Sequence, residues 1–438
     1  MLIYIPKLTN RMGYTLNVVF HHLLQIDYSI TTDAELYRTS NDIRFCYGTG
    51  RIDNSPFLHS CGLLFTSAIE DQDLRPFDHN GLTALFPVHN RESMLPFDVL
   101  AATFFLLSRY EEYLPHHIDE FGRFPASESV AYRHGFLNTP IVDHWAQLLY
   151  KTLQQHYPAL PDIHRRSGFE VTVDIDAAYC YRHKGVLRTL TGLTRDLIPP
   201  TNRTAIQERL QVLSGRKQDP FDTFDYLLQQ HRSHPGVKML FFALLGDYGQ
   251  YDKPISHANT AFRELLQFLG DHAKMGIHAS FQSADNPRLI KVETQRLSDI
   301  LHRPIVRNRF HYLRLQLPQS YRRLTHEDIL HDYTMGYADE PGFRAGTATP
   351  YPFYDLERDE ECPLIIHPFC VMDTTLIRHK NLSPSDAFDI YCDLIDKTRA
   401  ADGTFSAIWH NQNLCDNTAW RSWRDLFKQV LDYGCANQ

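Results

Sequence analysis

The chain has 438 residues, 43% of them hydrophobic and 22% charged, a length that fits roughly two globular domains and a composition that excludes extended disorder. The formal net charge of −8 excludes the basic footprint of a nucleic-acid binder, and the cluster Arg307, Arg309, Arg314, Arg322 and Arg323 reads as solvated surface. The longest apolar run, near 101–107, falls well short of the roughly 20 residues that a membrane-spanning helix requires.

Residues 1–11 lack a charged segment leading into an apolar run, so no secretory signal is expected there. Residues 2–5 read as a strand, 14–24 as a helix with an apolar stripe, and 43–47 and 58–65 as further strands. Pro96 opens a helix expected to reach about residue 114, since its missing N–H costs nothing in a first turn. Phe97, Leu100, Ala101, Phe104, Leu107 and Leu114 form the apolar face of that helix. A second helix is expected over 142–155. The segment 156–167, with Pro158 and Pro161 among charged residues and histidines, suits an interdomain connection. An N-terminal α+β domain over 1–162 and a second domain over 168–435 are therefore expected.

Beyond the connection, strands and helices alternate. Strands are expected over 169–174, 237–245, 275–278, 304–311, 362–367 and 405–409, and helices over 186–197, 221–230, 257–269, 287–301, 384–400 and 417–431. This alternation implies βαβ units and a parallel sheet or barrel. The eight cysteines form no C-x-x-C pair, which argues against a zinc knuckle and for free thiols in a reducing, cytoplasmic compartment.

The polar residues of interest gather at the C-terminal ends of the expected strands, the face where α/β barrels assemble catalytic groups. Asp174-Ile175-Asp176 ends one strand, His278 a second, Arg309, His311 and Tyr312 a third, and His410-Asn411 a fourth. His367-Pro368 and Asp373 follow another. Two carboxylates two residues apart can offer one metal ligand and one base, or can merely cap the following helix. An imidazole near neutrality can act as general acid or base, although a lone histidine is more often a satisfied core or surface group.

Thr172-Val-Asp-Ile-Asp176, Gly276-Ile-His278, Arg309-Phe-His-Tyr312 and Ile408-Trp-His410 follow the order of motifs in the polysaccharide deacetylase superfamily, carbohydrate esterase family four and its relatives. The second half of the chain resembles that superfamily. Residues 95–114, Gly122-Arg-Phe124 and Pro140-Ile-Val-Asp143 resemble the extra N-terminal domain that some bacterial members carry. The resemblance implies a distorted (β/α) barrel of seven strands, preceded by a smaller α+β domain. It also implies metal-dependent removal of N- or O-acetyl groups from a polysaccharide or glycan precursor. The metal would be zinc, with cobalt or nickel as alternatives. The substrate would be an acetylated amino-sugar glycan, and enzymes of polysaccharide assembly would be possible partners.

Residue by residue, the resemblance makes Asp174 the base, Arg309 its holder, His410 the general acid, and Asp176 and His278 metal ligands. The second histidine of the family's second motif falls on Gln282 here, and the third motif's proline is replaced by His311. His311 is accordingly the candidate third ligand. Tyr312, Trp409, Gln282 and Arg344, the last in a glycine-flanked loop over 342–347, are expected on the substrate side. The absent second histidine keeps open a metal-free glycan-binding module. The same groups would also serve a small-molecule amide or imide hydrolase, and a scaffold role in polysaccharide assembly is a further reading.

Overall fold

A computed structural model describes residues 1–163, 165–197 and 203–436, so His164 of the expected connector lies outside the described residues. The N-terminal part opens with a four-stranded parallel sheet of β1 (Leu2–Tyr4), β2 (Ser29–Thr31), β3 (Arg44–Gly48) and β4 (Phe57–His59), in the order β2-β1-β3-β4. The expected strand over 58–65 stops early, because Gly62 at φ 100° turns the chain into a 3₁₀ turn at Leu63–Phe65. The short hairpin β5 (Phe77–His79) and β6 (Leu82–Ala84) follows.

The long helix expected over 96–114 is the shorter Val99–Leu107. Asp98, not Pro96, sets its start, its side chain accepting from the Ala101 amide at 3.0 Å. Its end comes where Arg109 turns left-handed at φ 52°, after which Tyr110–Tyr113 form a 3₁₀ turn. The helix expected over 14–24 is Asn10–Leu16, prolonged as a π-helix over Asn17–Leu23.

The second half builds one nine-stranded sheet. In chain order its strands are β7 (Gly168–Ile175), β8 (Val237–Ala243), β9 (Lys274–Ala279), β10 (Arg307–Phe310), β11 (His331–Asp332), β12 (Tyr351–Asp355), β13 (Glu360–Ile366), β14 (Val371–Met372) and β15 (Thr404–His410). The spatial order is β12-β13-β11-β10-β9-β8-β7-β15-β14, parallel throughout except for the β12–β13 pair. Nine strands stand where seven were expected. The two-residue strands β11 and β14 are too short for periodicity to show, and β12 turns back antiparallel onto β13. No ladder joins β12 to β14 among the described residues. Among the described residues no helix is long and apolar enough to cross a membrane.

The period of two in a strand positions the chemistry. In β7, Phe169, Val171, Val173 and Ile175 enter one hydrophobic core, which leaves Glu170, Thr172 and Asp174 on the opposite face. In β15, Phe405, Ala407 and Trp409 enter the same core, while Ser406, Ile408 and His410 lie in register with Glu170, Thr172 and Asp174. The polar stripe thus shares one face.

Packing does not part at the expected connector. A single core joins Leu16, Phe104 and Trp145 to Phe310, Tyr321, Tyr354 and Ile366. Polar contacts cross it too: Arg11 pairs with Asp359 at 3.1 Å, and Asp143 accepts from the Thr347 hydroxyl at 2.7 Å and the Ala348 amide at 3.0 Å.

Candidate active site

Asp174 ends the inner stripe of β7, and its Oδ1 accepts from Arg309 Nη1 at 2.7 Å. Arg309 is fully buried; its Nε donates to the Tyr333 carbonyl at 3.0 Å, and its Nη2 has no hydrogen-bond partner among the described residues. Asp176, two residues on and just past the end of β7, faces three imidazoles. His278 Nε2 lies 3.3 Å and His311 Nε2 3.7 Å from its Oδ1, and His410 Nε2 lies 3.8 Å from its Oδ2. Asp176 Oδ1 is buried without a well-formed hydrogen bond among the described residues.

The remote ring nitrogens fix how these imidazoles point. His278 Nδ1 lies 2.9 Å from the Arg309 carbonyl, which can only accept, so Nδ1 carries the proton. His311 Nδ1 donates to Asp252 Oδ1 at 2.7 Å. Both Nε2 atoms are therefore the ones turned to Asp176. Ligand atoms of Asp176, His278 and His311 lie within 4.8 Å of one another, close enough to hold one metal ion. An aspartate oxygen that faces two imidazoles, each oriented from behind, suits a zinc-class cation. His311 thus stands with Asp176 and His278, whereas Gln282 is exposed on the 3₁₀ turn Phe281–Ala284 and is no part of this group.

His410 is held differently. Asp373 Oδ1 accepts from His410 Nδ1 at 2.7 Å, and Asp373 Oδ2 accepts from the His410 amide at 2.9 Å and from Asn413 Nδ2 at 2.9 Å. Burial opposes a charge on His410, but Asp373, Asp176 and Asp174 outweigh it and push the pKa up to about 9. Burial also opposes a charge on His278, and Asp174 and Asp176 again prevail, raising its pKa. Burial pushes Asp176 upward, yet His311, His278 and His410 hold it well below the ordinary carboxylate range.

Tyr312 and Leu313 leave β10 through two successive left-handed residues, at φ 59° and 54°. Such strained backbone is concentrated at functional sites. Tyr312 meets Phe281 and Tyr251, with ring centroids 5.3 Å and 5.5 Å away, and Phe121 from the N-terminal part at 5.1 Å. Arg123 Nη1 donates to the Tyr312 carbonyl at 2.8 Å.

Two expected substrate-side residues lie elsewhere. Trp409 is fully buried, stacked on Tyr391 at 5.1 Å and edge-on to Phe427 at 5.0 Å. As the neighbour of His410 in a strand, it points to the opposite face. Arg344 is buried in a bidentate pair with Glu112, at 2.9 Å and 2.7 Å, away from this cluster. Asp252 and the pairing of Asp373 with His410 were not anticipated. The only sequence signal for them is that each sits in a loop beyond a strand of the same sheet.

Residues 1–158 match a family of unknown function (DUF7033). No curated protein matches the chain. Among solved structures, a candidate polysaccharide deacetylase from Mycobacterium smegmatis overlaps with TM-score 0.40 and 13% identity, covering 64% of this chain and 87% of that one. A 4-alpha-glucanotransferase from Thermococcus litoralis gives 0.37 and 13%, covering 63% and 38%. A polysaccharide deacetylase from Bacillus cereus gives 0.29 and 10%, covering 61% and 86%. These overlaps are partial, and it is the side-chain geometry that carries the functional reading.

Proposed function

We propose that the chain is a metal-dependent hydrolase that removes acetyl groups, N-linked foremost, from an acetylated amino-sugar glycan or its precursor. The observation that carries this reading is the convergence of Asp176, His278 and His311 beside two separately anchored groups, Asp174 on Arg309 and His410 on Asp373. Zinc, or cobalt or nickel, held by those three residues would polarise the acyl carbonyl and acidify a bound water. Asp174 takes the proton from the attacking water, and Arg309, 2.7 Å from its Oδ1, aims that carboxylate. As the C–N bond breaks, His410 gives its Nε2 proton to the departing amine, leaving acetate and a free amino sugar. Against burial, Asp373 raises the His410 pKa and so favours the protonated form that a general acid requires. Asp373 fixes its tautomer and ring angle.

In this reading the nine-stranded sheet is a distorted (β/α) barrel carrying the chemistry within 168–435. Residues 1–162 form the accessory part, contributing Phe121 and Arg123 beside Tyr312. The reaction is placed in the cytoplasm, alongside enzymes of polysaccharide assembly. Tyr312, with Phe281 and Tyr251, offers the sugar-facing aromatic wall.

The test joins elemental mass spectrometry of the purified protein to an acetate-release assay on N-acetylglucosamine oligomers. About one divalent ion per chain and acetate release are expected, both lost in Asp176→Ala while the fold persists. A chain that takes up no zinc, cobalt or nickel would sink the proposal, as would full activity in Asp176→Ala.

A further inference from the structure

The inner stripe of the sheet has a second end. Around the N-terminal ends of the same strands a cavity of about 760 Å³ opens, within the range of small-molecule sites. Leu240 and Tyr333 line its inner wall and pack against Phe242, which lies in register with Asp174. The cavity therefore backs onto the candidate active site from the opposite direction.

Its charge is unbalanced. Lys238, Lys274, Arg303 and Arg307 line it against two carboxyls, Glu170 and the exposed Asp271. Glu170 stands in register with Lys238, and burial raises its pKa in spite of Arg309, Lys238 and Lys274. Lys238 and Lys274 are exposed, and among the described residues neither reaches a carboxylate at salt-bridge distance. Arg307 Nε is buried with no well-formed hydrogen bond among the described residues, beside the Tyr333 side chain. A buried donor left unpaired costs free energy, which a bound acceptor would recover. These cations converge: after burial itself, His331, Arg307, Lys238 and Lys274 bring the pKa of His367 down to about 3.

We propose that this cavity binds a small phosphate-bearing molecule, its dianionic phosphoryl group held between Lys238, Lys274 and Arg307. Guanidinium and ammonium groups together are the usual protein partners of a phosphate, the first as a fork and the second as a point charge. The remaining volume exceeds what a phosphoryl group fills and leaves room for an organic moiety beside Tyr333 and His367, whose rings stack 4.3 Å apart.

Isothermal titration calorimetry with glucose 6-phosphate and with inorganic phosphate, at an ionic strength fixed with sodium chloride, tests this. Saturable one-to-one binding is expected, weakened by about tenfold or more in Lys238→Ala and in Arg307→Gln. Lys238→Ala removes an exposed, unpaired side chain and should leave the unliganded melting temperature in place. Tighter binding of glucose 6-phosphate would uphold the site with a phosphorylated organic molecule as source, and equal binding would uphold it with free phosphate. Binding that persists in Asp176→Ala separates this cavity from the metal-ligand cluster, whereas binding lost there would overturn the assignment. Absence of binding, or binding unchanged in both Lys238→Ala and Arg307→Gln, would overturn it too. No turnover is measured, so the outcome is independent of the proposed hydrolysis.

Discussion

Arg344 and Arg309 are both buried, with 2% and 0% exposure, yet their guanidinium groups end differently. Arg344 spends every nitrogen: Nε and Nη2 on Glu112, and Nη1 on the Gly336 carbonyl at 3.2 Å. Arg109 completes that network through Glu112, Glu111 and the Arg344 carbonyl. Burial would push Glu112 upward, but Arg344 and Arg109 bring it down to about 2. In the second cluster Arg309 Nη2 has no hydrogen-bond partner among the described residues, and Asp176 Oδ1 meets His278 Nε2 only at 3.3 Å. Three imidazoles and two aspartates there face one another across a gap instead of closing it. A closed network staples the N-terminal part to the sheet. An open one leaves valence for something that is not protein. The contrast separates a structural role from a chemical one better than burial or charge does.

The largest expected effect breaks the open cluster. Asp174→Asn removes the base, and activity should fall by about 10²–10⁴ with the fold retained, read as acetate release per folded molecule. Wild-type turnover in that variant would remove Asp174 from the chemistry. The counterpart is Glu112→Gln, which strands the buried Arg344 guanidinium and leaves Arg109 with Glu111 alone. Urea unfolding should show a loss of about 3–5 kcal/mol, with activity per folded molecule unchanged. Should Glu112→Gln abolish turnover in folded protein while leaving stability alone, the division between the clusters would be misdrawn.

Much of the open cluster was legible, because strand-end position is a local property. Asp174, Asp176, His278 and His410 each follow an apolar run with period two, and the Arg309-x-His311 spacing places two polar groups at one strand end. The closed cluster was not legible. Glu112 and Arg344 are 232 residues apart, and nothing around Arg344 announces a carboxylate partner. Asp252 sits between β8 and the helix Thr260–His272, in a stretch without periodicity, and reaches His311 only once β8, β9 and β10 are laid side by side. The two-residue strands carry no pattern at all. The shared core that crosses 156–167 was illegible for a related reason. A proline-rich segment marks where the chain turns, but whether two parts share a core depends on faces that meet only in three dimensions.

Next in size is a pH effect on the metal-free protein. The folded pKa of His410, about 9, lies above its ordinary 6.5. The group therefore contributes stability that is fully present below pH 6.5 and lost as pH rises through 9, amounting to about 3 kcal/mol. Urea unfolding at pH 6 and pH 9.5 should reveal the drop, and Asp373→Asn should flatten it. An equal drop in Asp373→Asn would detach the effect from His410. Smaller again is Asp252→Asn, which weakens the hydrogen bond behind His311. Zinc affinity, measured by competition with a chelator, should fall about 10–100-fold. Unchanged affinity would leave His311 outside the ligand set.

The smallest effect tests the strand parity that divides Trp409 from His410. If adjacent residues in β15 face opposite ways, Trp409 touches only Tyr391, Phe427 and their core neighbours. Trp409→Phe should then cost about 1–2 kcal/mol in unfolding free energy while leaving KM for the glycan unchanged. Part of the packing loss is offset, because among the described residues the indole Nε1 is itself buried without a hydrogen-bond partner and phenylalanine removes it. Tyr312→Ala, on the inner side, should do the reverse, raising KM with little change in stability. A KM that rises in Trp409→Phe but not in Tyr312→Ala would mean that the substrate approaches the other face of the sheet, and the assignment of every group on the inner stripe would have to be redrawn.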